Sequence, residues 1–244
     1  MRMLPGGRFR EQFRVGASHP PHLGGGDVDM RRAWPWLVVA AALAVAGALW
    51  WNARATPSME RKAISTGGER REFAWFTPES VADDVGRHPV VIALHSLGME
   101  GEGMAYVGAW GEPAHKGEFL VAFPDGLDDS WNAGTCCGDS MRNDVADIAF
   151  INDLIAWVRK QPDVDPDRIS LAGFSNGGML ALALACNPPE GVNAVVTTGS
   201  LPTAGCTPEV PPSVLLITSS SDRTVPPGGG DGDLAPGTIS APFP

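Results

Sequence analysis

From residue 71 onward, short apolar runs alternate with stretches of helical periodicity. Pro89–His95 (PVVIALH) is continuously apolar between a charged stretch and a Ser-Leu-Gly turn, the mark of a parallel strand buried on both faces. Glu118–Pro124 (EFLVAFP) repeats that pattern and stops at Pro-Asp-Gly. Ile169–Gly173, Ala194–Thr198 and Ser213–Thr218 read as three more strands, and Arg71–Phe76 as a candidate early one. Between them, Asp144–Arg159 reads as a helix, because Ile148, Ile151, Ile155 and Val158 recur at helical spacing, with Asp144 as N-cap and Asp147 in the first turn. Gly177–Cys186 reads as a buried helix stopped by Asn-Pro-Pro. Strands alternating with helices predict an α/β fold whose parallel sheet is covered on both faces. No internal repeat is visible, and the tail from Pro226 is rich in Gly and Pro without periodicity.

A second kind of apolar segment precedes this region. Trp34 to Trp51 reads WPWLVVAAALAVAGALWW, and no charge lies between Arg32 and Arg54. As a helix it would reach about 30 Å, enough to cross a bilayer core. The preceding arginines predict a cytoplasmic N-terminus with the bulk of the chain outside. Ala53-Arg54-Ala55 resembles a signal cleavage site, so a membrane anchor and a cleaved signal both stand as readings. The expected organisation is an N-terminal extension over 1–33, the signal or anchor over 34–51, a linker over 52–69 and the α/β domain over 70–244. Met30 opens M-R-R-A-W-P-W, a second possible start for the export signal.

Composition narrows the partners. The 244 residues are 43% hydrophobic and 19% charged, a globular profile, and the net charge is −10. Residues 1–32 hold six Arg against three acids; the remainder holds the other 12 basic and 25 acidic residues, a net of −13. That balance argues against binding a nucleic-acid backbone through the fold. The four cysteines, Cys136, Cys137, Cys186 and Cys206, lack C-x-x-C spacing, so no zinc site is expected. Outside the cytoplasm they would form disulfides. Consecutive Cα atoms lie about 3.8 Å apart, below the usual disulfide range, so Cys136 and Cys137 are each expected to pair with one of Cys186 and Cys206. Asp231 and Asp233 lack the ligand spacing of a calcium loop.

The chemistry concentrates where Ile169–Gly173 runs into Gly173-Phe-Ser-Asn-Gly-Gly178 and then a helix. This is G-x-S-x-G in a strand–turn–helix setting, which predicts Ser175 as a nucleophile on a tight turn at the carboxyl end of the sheet. The following helix aims its N-terminus at the site and favours developing negative charge. An oxyanion hole would take the N–H of Asn176 and a second donor from His95-Ser-Leu-Gly98, with Leu97 favoured and Ser96 next to it. His95 fits a loop-shaping role better than that of a base. In this arrangement an acid follows the serine, and Asp222, just past Ser213–Thr218, is the best-placed carboxylate.

Together these segments resemble the secreted esterases of the poly(3-hydroxybutyrate) depolymerase family, which includes feruloyl and acetylxylan esterases. The matching runs are Val91–Gly98 (VIALHSLG), Phe123–Gly126 (FPDG), Trp131–Gly138 (WNAGTCCG), Asp144–Phe150 (DVADIAF), Gly173–Met179 (GFSNGGM) and Ser221–Pro226 (SDRTVP), spread over roughly residues 70–240. The resemblance implies an α/β-hydrolase fold, no metal or organic cofactor, and ester hydrolysis through an acyl-enzyme. By the same match Ser175 is the nucleophile, Asp222 orients the base, and Trp131, with His95 beside it, borders the substrate groove.

Two departures stand out. The family usually carries His-Gly-Thr-Ala-Asp before the acid, where this chain has Thr218-Ser-Ser-Ser-Asp222. The family also continues through a further helix and strand to a catalytic histidine, whereas here no histidine follows His115. The leading expectation is therefore an exported serine esterase, truncated at its C-terminus, lacking the last strand and helix and impaired for want of a base. The alternatives are a catalytically silent, membrane-tethered binding module and a serine peptidase on the same fold.

Overall fold

The computed structural model describes residues 59–232 except 83, 204, 206, 207 and 231. The apolar segment 34–51, Cys206, Asp231 and Asp233 lie outside the described residues. All described residues belong to one compact unit, Trp50–Pro244. Among them no helix is long and apolar enough to cross a membrane.

Seven strands form one sheet: β1 (Met59–Thr66), β2 (Glu69–Phe76), β3 (His88–Leu94), β4 (Leu120–Pro124), β5 (Val164–Phe174), β6 (Val192–Thr198) and β7 (Ser213–Ile217). Their order is β1-β2-β4-β3-β5-β6-β7. β1 pairs with β2, and β2 with β4, antiparallel; every other neighbour is parallel. The helices are α1 (Glu79–Ala82), α2 (Gly101–Val107), α3 (Gly111–Gly117), α4 (Gly138–Arg142), α5 (Asp147–Val158) and α6 (Asn176–Ala185).

The five apolar runs read from the sequence are β3 to β7, and the early candidate is β2. The sheet starts earlier than expected, because β1 occupies Met59–Thr66 inside the stretch read as linker. That strand carries three successive charged residues near its start, Glu60, Arg61 and Lys62, and half of its residues are exposed. Its charged, exposed face suits an outer strand. Coverage on both faces fails at β7, where Leu215 is 54% and Ile217 47% exposed.

The main core fills with Ile92, Leu94, Ile169 and Leu171 from the central strands against Phe150, Ile151, Leu154, Ile155 and Val158 of α5 and the apolar face of α6. α5 starts three residues later than expected. Asp144 has φ +52° and does not cap it; Ala146 holds the cap position, and Asp147 opens the helix from inside the protein. Ile148 is half exposed, so it lies off the buried stripe.

The cysteine pairing is corrected. Cys136 and Cys137 are bonded to each other, and Cys186 is also disulfide-bonded. The expectation argued from Cα spacing alone, and at 3.2 Å that spacing is still shorter than for a trans peptide; the Cys136–Cys137 peptide is cis, which sets both Cα atoms on the same side of the bond.

Candidate active site

Parallel strands deliver their C-terminal loops to one edge of the sheet, and three of those loops hold the expected site. β3 ends at Leu94 beside Gly173 of β5, so His95–Gly98 and Ser175 leave neighbouring strand ends. β7 ends at Ile217, one strand beyond β6, and leads to Asp222.

Ser175 caps α6 with φ +52° and ψ −118°, a left-handed backbone at a residue with a side chain. Such a conformation is costly unless the surroundings fix it. Here its N–H donates to Thr198 O at 2.9 Å and its carbonyl accepts from Met179 N–H at 3.0 Å. The glycines around it are sterically required. A Cβ on Gly173 would lie 2.5 Å from Gly178 Cα, and one on Gly177 would strike the Leu94 carbonyl at the same distance. A Cβ on Gly178 would collide with Ser200, a requirement the motif alone does not contain. The first N–H groups of α6 have no intrahelical acceptor and face this end of the sheet.

Asn176 is buried, and its amide forms a two-point clamp on Trp131. Oδ1 accepts from Trp131 N–H at 2.7 Å, and Nδ2 donates to Trp131 O at 3.0 Å. The indole Nε1 in turn donates to His95 O at 3.0 Å. Trp131 is fully buried, with its ring 4.7 Å from that of His95 and stacked on Phe150 at 6.4 Å. Trp131 and His95, expected to border the substrate groove, are both buried, and neither ring reaches solvent. Both brace the loops behind the nucleophile.

His95 is held at both ring nitrogens. Gly126 N–H donates to Nε2 at 2.9 Å, which makes Nε2 the acceptor and places the proton on Nδ1, 2.8 Å from Ser96 O. Burial lowers its pKa, opposed by the Ser96 bond and by Asp125 and Asp129. Such a ring is not free to accept a proton from Ser175. His88 begins β3, at the opposite end of the sheet, and its Nδ1 lies 3.1 Å from Glu118 O. His115 lies in α3, shortly before β4 starts. Among the described residues, no histidine is placed as a base.

Leu97 is 44% exposed and Ser96 lies beside it on the same loop. Asp222 is half-buried; its Oδ1 accepts from Thr224 and Val225 N–H, both at 2.9 Å. Its Oδ2 lies over the end of β6, 3.9 Å from where a Cβ on Gly199 would stand. That same position would be 3.6 Å from the ring of Phe174, the residue before Ser175.

The sequence reading missed the support of this edge. Asp125, in the Phe-Pro-Asp-Gly run, accepts the N–H of Gly101 at 2.8 Å and so fixes the start of α2. Arg71 and Asp147 form a buried ion pair at 2.7 Å. Burial raises the Asp147 pKa, while the Asn132 N–H and Arg71 oppose it. Shape alone points elsewhere: a recess of about 430 Å³ lies beside the β1–β2 turn and α5, away from Ser175. Among the described residues, no group of His, Cys, Asp and Glu could hold a metal.

The crystal structure of a thermostable esterase superposes with a TM-score of 0.50 over 69% of this chain and 48% of that one, at 17% identity, a likeness of fold. The chain has the α/β-hydrolase fold. The model of the X-Pro dipeptidyl-peptidase (S15) family matches residues 132–203, which hold the nucleophile turn. NocK of Nocardia uniformis subsp. tsuyamanensis, named as an esterase by inference, is 29% identical over 169 residues, 68% of this chain and 49% of that protein. Feruloyl esterase B of Piromyces equi is 30% identical over 121 residues, 46% of this chain and 22% of that protein. The chain thus spans half or less of the length of these two relatives.

Proposed function

We propose that this α/β-hydrolase chain is an exported carboxylic ester hydrolase acting through Ser175. The observation that carries the reading is the Ser175 turn: a left-handed serine between a strand end and a helix N-terminus, with both flanking glycines sterically enforced. Two relatives named as esterases support it. In this reading Ser175 Oγ attacks the ester carbonyl as its proton passes to a base. The N–H groups of Asn176 and of Leu97 or Ser96 hold the oxyanion, and the alcohol leaves. Water then releases the acid from the acyl-serine. Feruloyl, acetyl and polyhydroxyalkanoate esters are the substrate classes, and residues 34–51 would be the export signal or the membrane tether.

Asp222 would orient an imidazole that the described residues do not place. Loss of one triad member in serine hydrolases costs on the order of 10⁴–10⁶ in turnover. The 244-residue chain is therefore expected to hydrolyse p-nitrophenyl acetate close to background, and added imidazole should raise a turnover that Ser175→Ala abolishes. Absence of any Ser175-dependent turnover with imidazole would overturn the esterase reading. Brisk Ser175-dependent turnover without imidazole would overturn the account of the base. The family-model match favours a second reading, a peptidase. Cleavage of an X-Pro anilide in preference to the acetate ester would select it.

A further inference from the structure

A buried ion pair lies one residue away from the clamp that holds the nucleophile turn. Arg71, on β2, donates from Nη2 to Asp147 Oδ1 at 2.7 Å, and Asp147 Oδ2 accepts from Asn132 N–H at 2.7 Å. Both charged side chains are essentially inaccessible, at 2% and 0%. The next residue back, Trp131, makes both clamp bonds to the Asn176 amide. Arg71 also donates to Asp125 O at 3.3 Å and lies over the Phe150 ring at 4.1 Å. Asn132 is held a second time, from Nδ2 to Val145 O at 3.0 Å.

We propose that Asp147, held by Arg71, is a positioning residue for the oxyanion donor of Asn176. The inference rests on the esterase reading of Ser175 and adds to it a residue outside the motif. A buried ion pair costs two desolvations, and apolar residues of similar size often stabilise a fold as well or better. The pair therefore invites a role beyond stability, and its second carboxylate oxygen shows where that role lies. It fixes the peptide between Trp131 and Asn132, and Trp131 fixes both polar ends of the Asn176 side chain. An N–H donor must be set to within a fraction of an ångström to stabilise an oxyanion. Asn176 is anchored by its own side chain rather than by the helix alone, so the aim of its N–H depends on where residue 131 stands.

The test separates positioning from folding. Asp147→Asn leaves Arg71 buried without a counter-ion and is expected to destabilise the fold. The double variant Arg71→Met, Asp147→Leu removes both charges and should recover most of the stability. Amide hydrogen exchange is read at Trp131, Ser175 and Met179, none of which bonds to Asp147, and at the interiors of β3 and β5. In the double variant the three amides are expected to exchange about tenfold faster or more, with the strand interiors unchanged, since a lost bond to a charged group is worth about that factor. Imidazole-assisted turnover of p-nitrophenyl acetate should fall by a similar factor, in kcat rather than KM. Recovery of stability together with parental exchange and kcat would overturn the proposal, as would faster exchange spread evenly through the sheet. If the parent shows no Ser175-dependent turnover, the esterase reading fails, while exchange still decides whether the ion pair holds the clamp.

Discussion

His95 is a neutral imidazole locked inside the molecule, and its chemistry sets a pH limit on the site. Its Nε2 accepts the Gly126 N–H, so protonation there would turn an acceptor into a second donor facing a donor. Burial lowers the folded pKa below 6.5, outweighing the attraction of Asp125 and Asp129. As pH falls, the unfolded chain takes up the proton first. The stability that His95 contributes is thus complete above about pH 6.5 and lost progressively below it. The expected result is a Tm that falls between about pH 7 and pH 5, with part of that slope removed in His95→Gln. An identical slope in the variant would show that other groups set the pH dependence. At the same scale, Gly177→Ala places a methyl against the Leu94 carbonyl. Denaturant unfolding should show a loss of about 1–3 kcal/mol or more, and an unchanged midpoint would contradict the fit described here.

At the scale of elements, α5 and the loop before it show what periodic patterning can and cannot reveal. The strands β3 to β7 and helices α5 and α6 were legible because continuous apolar runs and helical spacing both arise from burial. β1 was not, because an exposed outer strand buries too little to leave a hydrophobic signature. The short helices α2, α3 and α4 were also missed, since each spans two turns or fewer with glycine at its start. The nucleophile turn was readable as a motif. Its support was not: the bonds from Asp147 to Asn132 and from Asn176 to Trp131 join residues far apart in sequence through side chain and backbone. The disulfide was misread for a related reason, because the choice between a cis and a trans peptide leaves no pattern in the chain. The buried stripe of α5 carries its own prediction. Leu154→Ala removes a fully buried side chain from the core on the flank of the sheet. It should cost about 2–5 kcal/mol in denaturant unfolding, with imidazole-assisted turnover retained below the transition. A loss under about 0.5 kcal/mol would mean that the helix is not packed as described.

At the scale of the whole molecule, the sheet brings the C-terminal ends of β3, β5 and β7 to one edge, so Leu97, Ser175 and Asp222 share it although 125 positions separate the first from the last. Everything proposed for the protein depends on Ser175 being a nucleophile at that edge rather than a turn serine. Active-site phosphonylation tests this directly, because a fluorophosphonate reacts with an activated serine and mimics the tetrahedral state that the helix N-terminus would stabilise. The 244-residue chain is incubated with the probe with and without imidazole, digested, and mapped by mass spectrometry. The account predicts a single adduct on Ser175, formed faster with imidazole and absent in Ser175→Ala. Adducts scattered over other serines, or none on Ser175 in imidazole, would contradict it.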